Sequence, residues 1–256
     1  MNRQVKRLMI SALMLVAAPA VQVEAWGSSG HRVIGVAAMR ALPGDLPAFL
    51  RTAGAASDVG EYSREPDRWK GAGQPHDRER DTAHFVDMDD QGRVMDARGM
   101  TMADLPRLKS EYDAALIRAG LDVDKAGYLP YAIMDAWQNL ERDFAYWRVL
   151  TAAEAREPDL AKQAWYRVDR ERREQLILRD IGVLSHFVGD ASQPHHTTIH
   201  FNGWAGETNP EGFTKSRRTH GDFEGAFTSR TLRLDAVEAA MAPMNVEGFD
   251  LPARTA

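Results

Sequence analysis

The stretch Ile133-Met134-Asp135-Ala136-Trp137-Gln138-Asn139-Leu140-Glu141-Arg142-Asp143-Phe144-Ala145-Tyr146-Trp147 decides the fold. Its large apolar residues Ile133, Trp137, Leu140, Phe144 and Trp147 step by four, three, four and three, which puts them on one face of a single helix. The stripe lacks the polar partners of a cofactor pocket, so it reads as core. Working outward, His31 to Leu42 reads as a helix ended by Pro43-Gly44, and residues 104 to 119 as another. Asp159 to Ala191 contains no Pro and carries the apolar row Leu176, Ile177, Ile181, Leu184 and Val188, consistent with one long helix or two abutting ones. Its charged first half, Arg167 to Arg173, reads as a solvated face. Loops concentrate at residues 54 to 80, 89 to 103 and 197 to 218, all rich in Gly, Pro, Asp, Asn or Ser. No strand-like alternation, internal repeat or low-complexity linker stands out. The expected fold is all-α, a single-domain multi-helix bundle.

Residues 1 to 25 have the anatomy of a cleavable export signal: basic Arg3, Lys6 and Arg7, an apolar run from Leu8 to about Ala20, and small residues ending at Ala25. The apolar run is too short for a bilayer-spanning helix of ~20 residues, so a periplasmic or secreted protein is expected. Cleavage before Trp26 would remove three basic residues and one acidic one, moving the formal charge from −5 to −7. That acidity argues against a basic surface for long nucleic acid, and hardly at all against a cleft enzyme. The chain has no cysteine, so its core and bound metal, rather than disulfides, are expected to hold it. The remaining 231 residues suffice for one sizeable domain.

His186 and Asp190 are four residues apart in Ser185-His186-Phe187-Val188-Gly189-Asp190-Ala191-Ser192-Gln193-Pro194-His195-His196. On a helix this spacing brings an imidazole and a carboxylate to one face. Pro194 breaks the helix and lets His196 return toward that face, while Gly182 and Gly189 leave room for another element. The spacing recurs at His220 and Glu224, with Thr219 placed as a helix N-cap. Imidazole plus carboxylate without thiol is a ligand set for zinc, and less specifically for manganese or iron. Asp67 and His84 are further candidates, each weak alone. Trp26 adds another: cleaved before it, the chain would offer an amine and a carbonyl that chelate one cation in a five-membered ring.

Together, Trp26-x-x-x-x-His31, Pro66-Asp67, His84-Phe85-Val86-Asp87, His186-Phe187-x-Gly189-Asp190-x-x-Gln193-Pro194-x-His196 and His220-x-x-x-Glu224 resemble the ordered signature of the zinc-dependent phospholipase C and single-strand nuclease superfamily. The His186 to His196 stretch is its most specific part. The resemblance implies an all-α bundle around a trinuclear zinc cleft, with residues 26–256 as the zinc-dependent phosphodiesterase domain. It implies that Asp67, His84, His186 and Asp190 surround one zinc, that His196, His220 and Glu224 hold a second, and that Trp26 and His31 hold the third, with Asp190 bridging two. His76, His195 and His200 are left over, His195 being able to replace His196 if the loop shifts. Two departures stand out. The stretch between His84 and His186 is longer than the family's, and only 32 residues follow Glu224, so either the middle segment supplies the remaining helices or the domain is incomplete.

The reaction this implies is in-line attack of hydroxide on a phosphodiester, since zinc lowers the pKa of bound water toward ~7. Asp67 would orient the water as well as ligate. Arg68 or Lys70 would neutralise the phosphate, a solvent-facing role being the alternative for each. The spacing from Trp26 to His31 and the run His84-Phe85-x-Asp87 resemble the nuclease branch, in which Phe85 would stack on a base and Asp87 would accept a hydrogen bond from its edge; Phe85 as a core residue is the alternative. Glu224 in place of Asp resembles the phospholipase branch, and Phe201, Trp204 and Phe213 would either meet a lipid surface or pack their loop down. Single-stranded nucleic acid is the expected substrate and phospholipid the runner-up. A non-catalytic zinc-binding helical protein is a third reading. No stable protein partner is expected, and the chain is read as a monomer.

Overall fold

A computed structural model describes residues 26–243. The export signal read over residues 1–25 lies outside the described residues, as does the end of the chain from 244 onward.

The fold is an all-α multi-helix bundle. Among the described residues the only β-type pairings are isolated bridges, Met88 with Val94, Arg93 with Thr101 and Phe201 with Gly203. The helices α1 (Gly27–Arg40), α2 (Ala53–Tyr62), α3 (Glu65–Arg68), α4 (His76–Asp81), α5 (Lys109–Arg118) and α6 (Val123–Ala126) precede two long ones, α7 (Leu129–Arg156) and α8 (Leu160–Ala191). Short elements follow: α9 (Thr219–Gly221), a π-helical turn over Asp222–Phe227, α10 (Thr228–Thr231) and α11 (Leu234–Ala240). No helix among the described residues is long and apolar enough to cross a membrane.

The α7–α8 hairpin is the frame. The expected stripe faces inward: Ile133 and Leu140 are buried, and Phe144 and Trp147 pack onto the same core as Met39, Leu50, Val59, Ile177 and Leu178. A second core joins Ile133, Tyr112, Leu116, Leu129, Val183 and Phe187. Each fully buried aliphatic side chain contributes about 1.5–3 kcal/mol, so these two clusters fix how α1, α2 and α5 sit on the hairpin. One long helix over 160–191 is observed rather than two. Its buried row differs from the expected one, for Leu176 and Val188 are exposed while Leu178, Val183 and Phe187 are buried. The drift reflects two partners: α8 faces α7 along its length and α2 on another side.

The region 54 to 80, expected to be a loop, is largely helical. Thr52 caps α2 by accepting from the Ala55 amide (2.9 Å), while Gly71 and Gly73, with positive φ, keep a loop between α3 and α4. A Cβ on Gly60 would stand 2.7 Å from Val36 on α1, and one on Gly182 would stand 2.5 Å from Tyr62, so α2 approaches both α1 and α8 closely. Thr219 does not cap its helix. Its hydroxyl donates to the Ser216 carbonyl (2.8 Å), and Arg218 occupies the cap position without a side-chain bond.

The charged first half of α8 is not simply solvated. Arg167 and Arg170 both donate to Glu154 of α7 (2.7 and 2.9 Å), and Arg173 donates to the buried Asp143 (2.8 Å), so the charges zip the hairpin. Next to Asp143 lies Asp180, whose burial and carboxylate neighbour push its pKa up to about 6.

Candidate metal centre

The last turns of α8 carry His186 and Asp190, both fully buried. The helix stops at Ala191; Gln193 accepts from the His195 amide through its side chain (3.0 Å), and a 3-10 turn over Pro194–His196 swings His196 back. His196 is then locked to the segment that holds His84. Its Nδ1 donates to the His84 carbonyl (2.6 Å), and the Val86 amide donates to the His196 carbonyl (2.9 Å). From the other side the start of α7 grips this segment, with Tyr128 and Leu129 amides donating to the Thr82 and Phe85 carbonyls. Gly127 makes that possible, having φ 81 and a carbonyl of Phe85 where a Cβ would be.

Two triangles of ligand atoms result. His84 Nδ1, His186 Nε2 and Asp190 Oδ2 are separated by 2.9, 3.1 and 3.2 Å. His196 Nε2, His220 Nε2 and Glu224 Oε1 are separated by 2.7, 3.0 and 3.1 Å. Ligands on one tetrahedral zinc with bonds of ~2.0 Å lie ~3.3 Å apart, so both triangles have the dimensions of three groups on one cation. Asp67 and His31 extend the first. Asp67 forms a compact set with His84 and His186, and His31, stacked on His186 at 3.8 Å, forms another with His186 and Asp190. Three buried groups of His, Asp and Glu could therefore hold metal ions. Asp190 stands between them, Oδ2 toward His84 and His186, Oδ1 toward His31 at 3.4 Å. His186 lies within reach of both sets, but with Nδ1 bonded to Ser63 its one free nitrogen, Nε2, serves a single cation.

Unmet bonding shows what these groups fit. His186 Nδ1 donates to the Ser63 carbonyl (2.7 Å) and His196 Nδ1 to His84, so each ring's donor is committed behind it and Nε2 faces its neighbours. Both His31 nitrogens, Asp67 Oδ2, Asp190 Oδ1 and Glu224 Oε2 are buried without a hydrogen bond. Buried polar atoms are paired in the great majority of cases, and so dense a set of lone pairs calls for cations. Electrostatics point the same way. Burial opposes the charged form of His196, yet the Asp190 and Glu224 carboxylates outweigh it and push its pKa up to about 9. Burial likewise opposes the Asp190 carboxylate, and His186 and His196 outweigh it, holding the group well below its ordinary range. His31 and His84 are shifted down, burial first and the charge on His186 adding to it.

A cavity of about 810 Å³ opens beside both triangles and is lined by Lys70, His84, Phe85, Asp87, His195 and His220, among others. Lys70 and Arg68 separate clearly. The Lys70 ammonium is buried against Asp67 (3.1 Å) and Asp81 (3.3 Å), which outweigh the cost of its burial, whereas Arg68 pairs with Glu65 (2.6 Å) and Glu61 (3.6 Å) and does not line the cavity. Phe85 is half-buried with its ring on the wall, so it is not a fully enclosed core residue. Asp87 is buried, and desolvation lifts its carboxyl to about 7 against the lowering effect of His196. In the loop beyond Ile199, Trp204 packs between His200 (3.9 Å) and Phe213 (5.2 Å), tying part of the loop down, while Phe201, which lines the cavity, and Phe213 stay exposed. His195 lines the cavity next to His220, His76 opens α4, and His200 pairs with Asp90 (2.9 Å).

Trp26 takes a left-handed conformation before α1, its indole N–H donating to the Gly189 carbonyl (2.7 Å), one residue from Asp190. The residues missed in the sequence are supports: Ser63, whose carbonyl holds His186 and whose hydroxyl donates to the His31 carbonyl (2.8 Å), and Gln193, which donates to Glu224 (2.7 Å). Ser63 lies in a stretch read as loop and carried no signal; Gln193 stood inside the motif without a role. Comparison with protein-family models, with curated proteins and with solved structures gives no match to this chain.

Proposed function

We propose that this chain is an exported zinc-dependent phosphodiesterase of the kind its motifs resemble, acting on single-stranded nucleic acid. The observation that carries the proposal is the pair of ligand triangles opening on one cavity that also holds a buried ammonium and a half-buried aromatic ring. An open cavity beside the ligand groups favours a catalyst over a storage protein. Zinc bound there supplies a Lewis acid and acidifies water toward a pKa of ~7.

The remaining work falls to the chain. Asp67, next to Lys70 and with one free oxygen, orients the attacking water. Lys70, unlike Arg68, faces the cavity and neutralises the phosphate. Phe85 offers a face on which a base stacks, an arrangement worth ~1–3 kcal/mol, and Asp87 meets the base edge, its carboxyl near pKa 7 serving as donor or acceptor with pH.

Phospholipase C activity is the second reading, favoured by Phe201, an exposed aromatic that lines the cavity. Purified protein offered single-stranded DNA, RNA and a short-chain phosphatidylcholine, each with and without chelator, separates the readings. Chelator-sensitive cleavage of the nucleic acids supports the nuclease, and hydrolysis of the lipid alone replaces it with the phospholipase. Zinc binding with no cleavage of any substrate overturns the enzyme reading. If Trp26 supplies a ligand as a new N-terminus, one extra residue before it removes one metal ion and most activity.

A further inference from the structure

Gln193 is 1% exposed and lies between the end of α8, the turn that presents His196, and Glu224. Its amide N–H donates to the Asp190 carbonyl (2.9 Å), and its carbonyl accepts from the His196 amide (2.8 Å), so its backbone joins the end of α8 to the turn that presents His196. Its side chain spans to a different element. Oε1 accepts from the His195 amide (3.0 Å), an N–H that can only donate, and this fixes the amide so that Nε2 points at Glu224 Oε1 (2.7 Å).

Glu224 needs such a hold. It sits in a π-helical turn, its Oε2 has no hydrogen-bond partner, and its Oε1 is the atom that meets both His196 and His220. A π turn at this position re-aims a side chain relative to a regular helix, and among the described residues Gln193 is the one side-chain donor to the carboxylate besides the two histidines.

We infer that Gln193 is a positioning residue: its side-chain amide selects Glu224 Oε1 as the oxygen offered to a cation together with His196 and His220, and so sets the affinity of that one group. The inference rests on the metal reading above. A hydrogen-bond partner behind a ligating carboxylate is typically worth roughly ten- to a hundredfold in metal affinity. Because Gln193 Nε2 touches Glu224 and no other member of the three groups, the effect is confined to the group His196, His220 and Glu224.

The test uses the purified exported chain, stripped of metal and titrated with zinc and separately with cobalt(II), with stoichiometry read by mass spectrometry and geometry by the cobalt absorption bands. Gln193→Leu and Gln193→Met, the second keeping the unbranched shape should the first misfold, are expected to bind one ion about tenfold or more weakly with altered cobalt bands. The other ions keep wild-type affinity. Wild-type affinity for every ion in a folded variant overturns the inference, and so does uniform weakening of all of them, which a merely structural residue would give. Failure of the wild-type chain to take up any metal overturns the metal reading itself, and is seen before any variant is made.

Discussion

The two halves of α8 are both crowded with ionisable groups and treat them in opposite ways. In the first half Arg167, Arg170 and Arg173 each meet a carboxylate of α7 or α8 directly, and most of these groups keep a face in water. In the second half His186 and Asp190 are fully buried, and around them His31, Asp67 and Glu224 keep atoms with no hydrogen bond at all. Density of charge therefore does not mark a site. Unmet bonding capacity at ligand spacing does, because leaving such groups buried and unpaired is costly unless something outside the polypeptide completes them.

Removing a member of the second half should have the largest effect. His186→Ala and Asp190→Ala are each expected to lower activity by about a hundredfold or more together with metal content; a variant with full activity would end the comparison, since the buried half would then be as structural as the exposed one. Chelation comes next. A ligand present at a thousand times its Kd adds about 4 kcal/mol, and ~1 kcal/mol moves the melting temperature of a chain this size by ~2–4 °C. Stripping the metal should thus lower the melting temperature by about 10 °C or more, and an unchanged melting curve would count against metal as part of the core.

Asp180 tests the boundary between the halves. Its folded pKa of about 6 lies above the ordinary carboxylate value, so its contribution is present at pH below ~4 and is lost as pH rises through about 6. Asp180→Asn should therefore raise the melting temperature at pH 8 by several degrees, a gain of at most about 3 kcal/mol, and the gap should close near pH 4. A gap of equal size at both pH values would show that packing, not titration, sets it. The smallest change belongs to the first half: Arg170→Ala is expected to shift melting by no more than about 3 °C and to leave metal content intact. Loss of metal there would mean that the zipped half reaches into the centre.

Much of this was legible in the chain because the deciding residues are close in sequence. The stripe from Ile133 to Trp147 and the His186–Asp190 pair follow helical spacing, and long helices formed; His220 and Glu224 also meet, although across a short turn that runs into a π turn. Residues 54 to 68 were not legible, since Gly60 and Pro66 look like loop punctuation when what they do is permit close packing and start a helix. Arg68 and Lys70 look equivalent two residues apart, and only the turn after α3 sends one to Glu61 and the other into the cavity. Gln193 was unreadable for a different reason: its partner Glu224 lies 31 residues away in a π turn that no spacing rule anticipates.

The central claim is that the buried groups are completed by metal, and elemental analysis of the purified chain beginning at Trp26 tests it most directly. The account predicts close to three zinc ions per chain, one at each of the two triangles and one between His31 and Asp190. A content below one would contradict it.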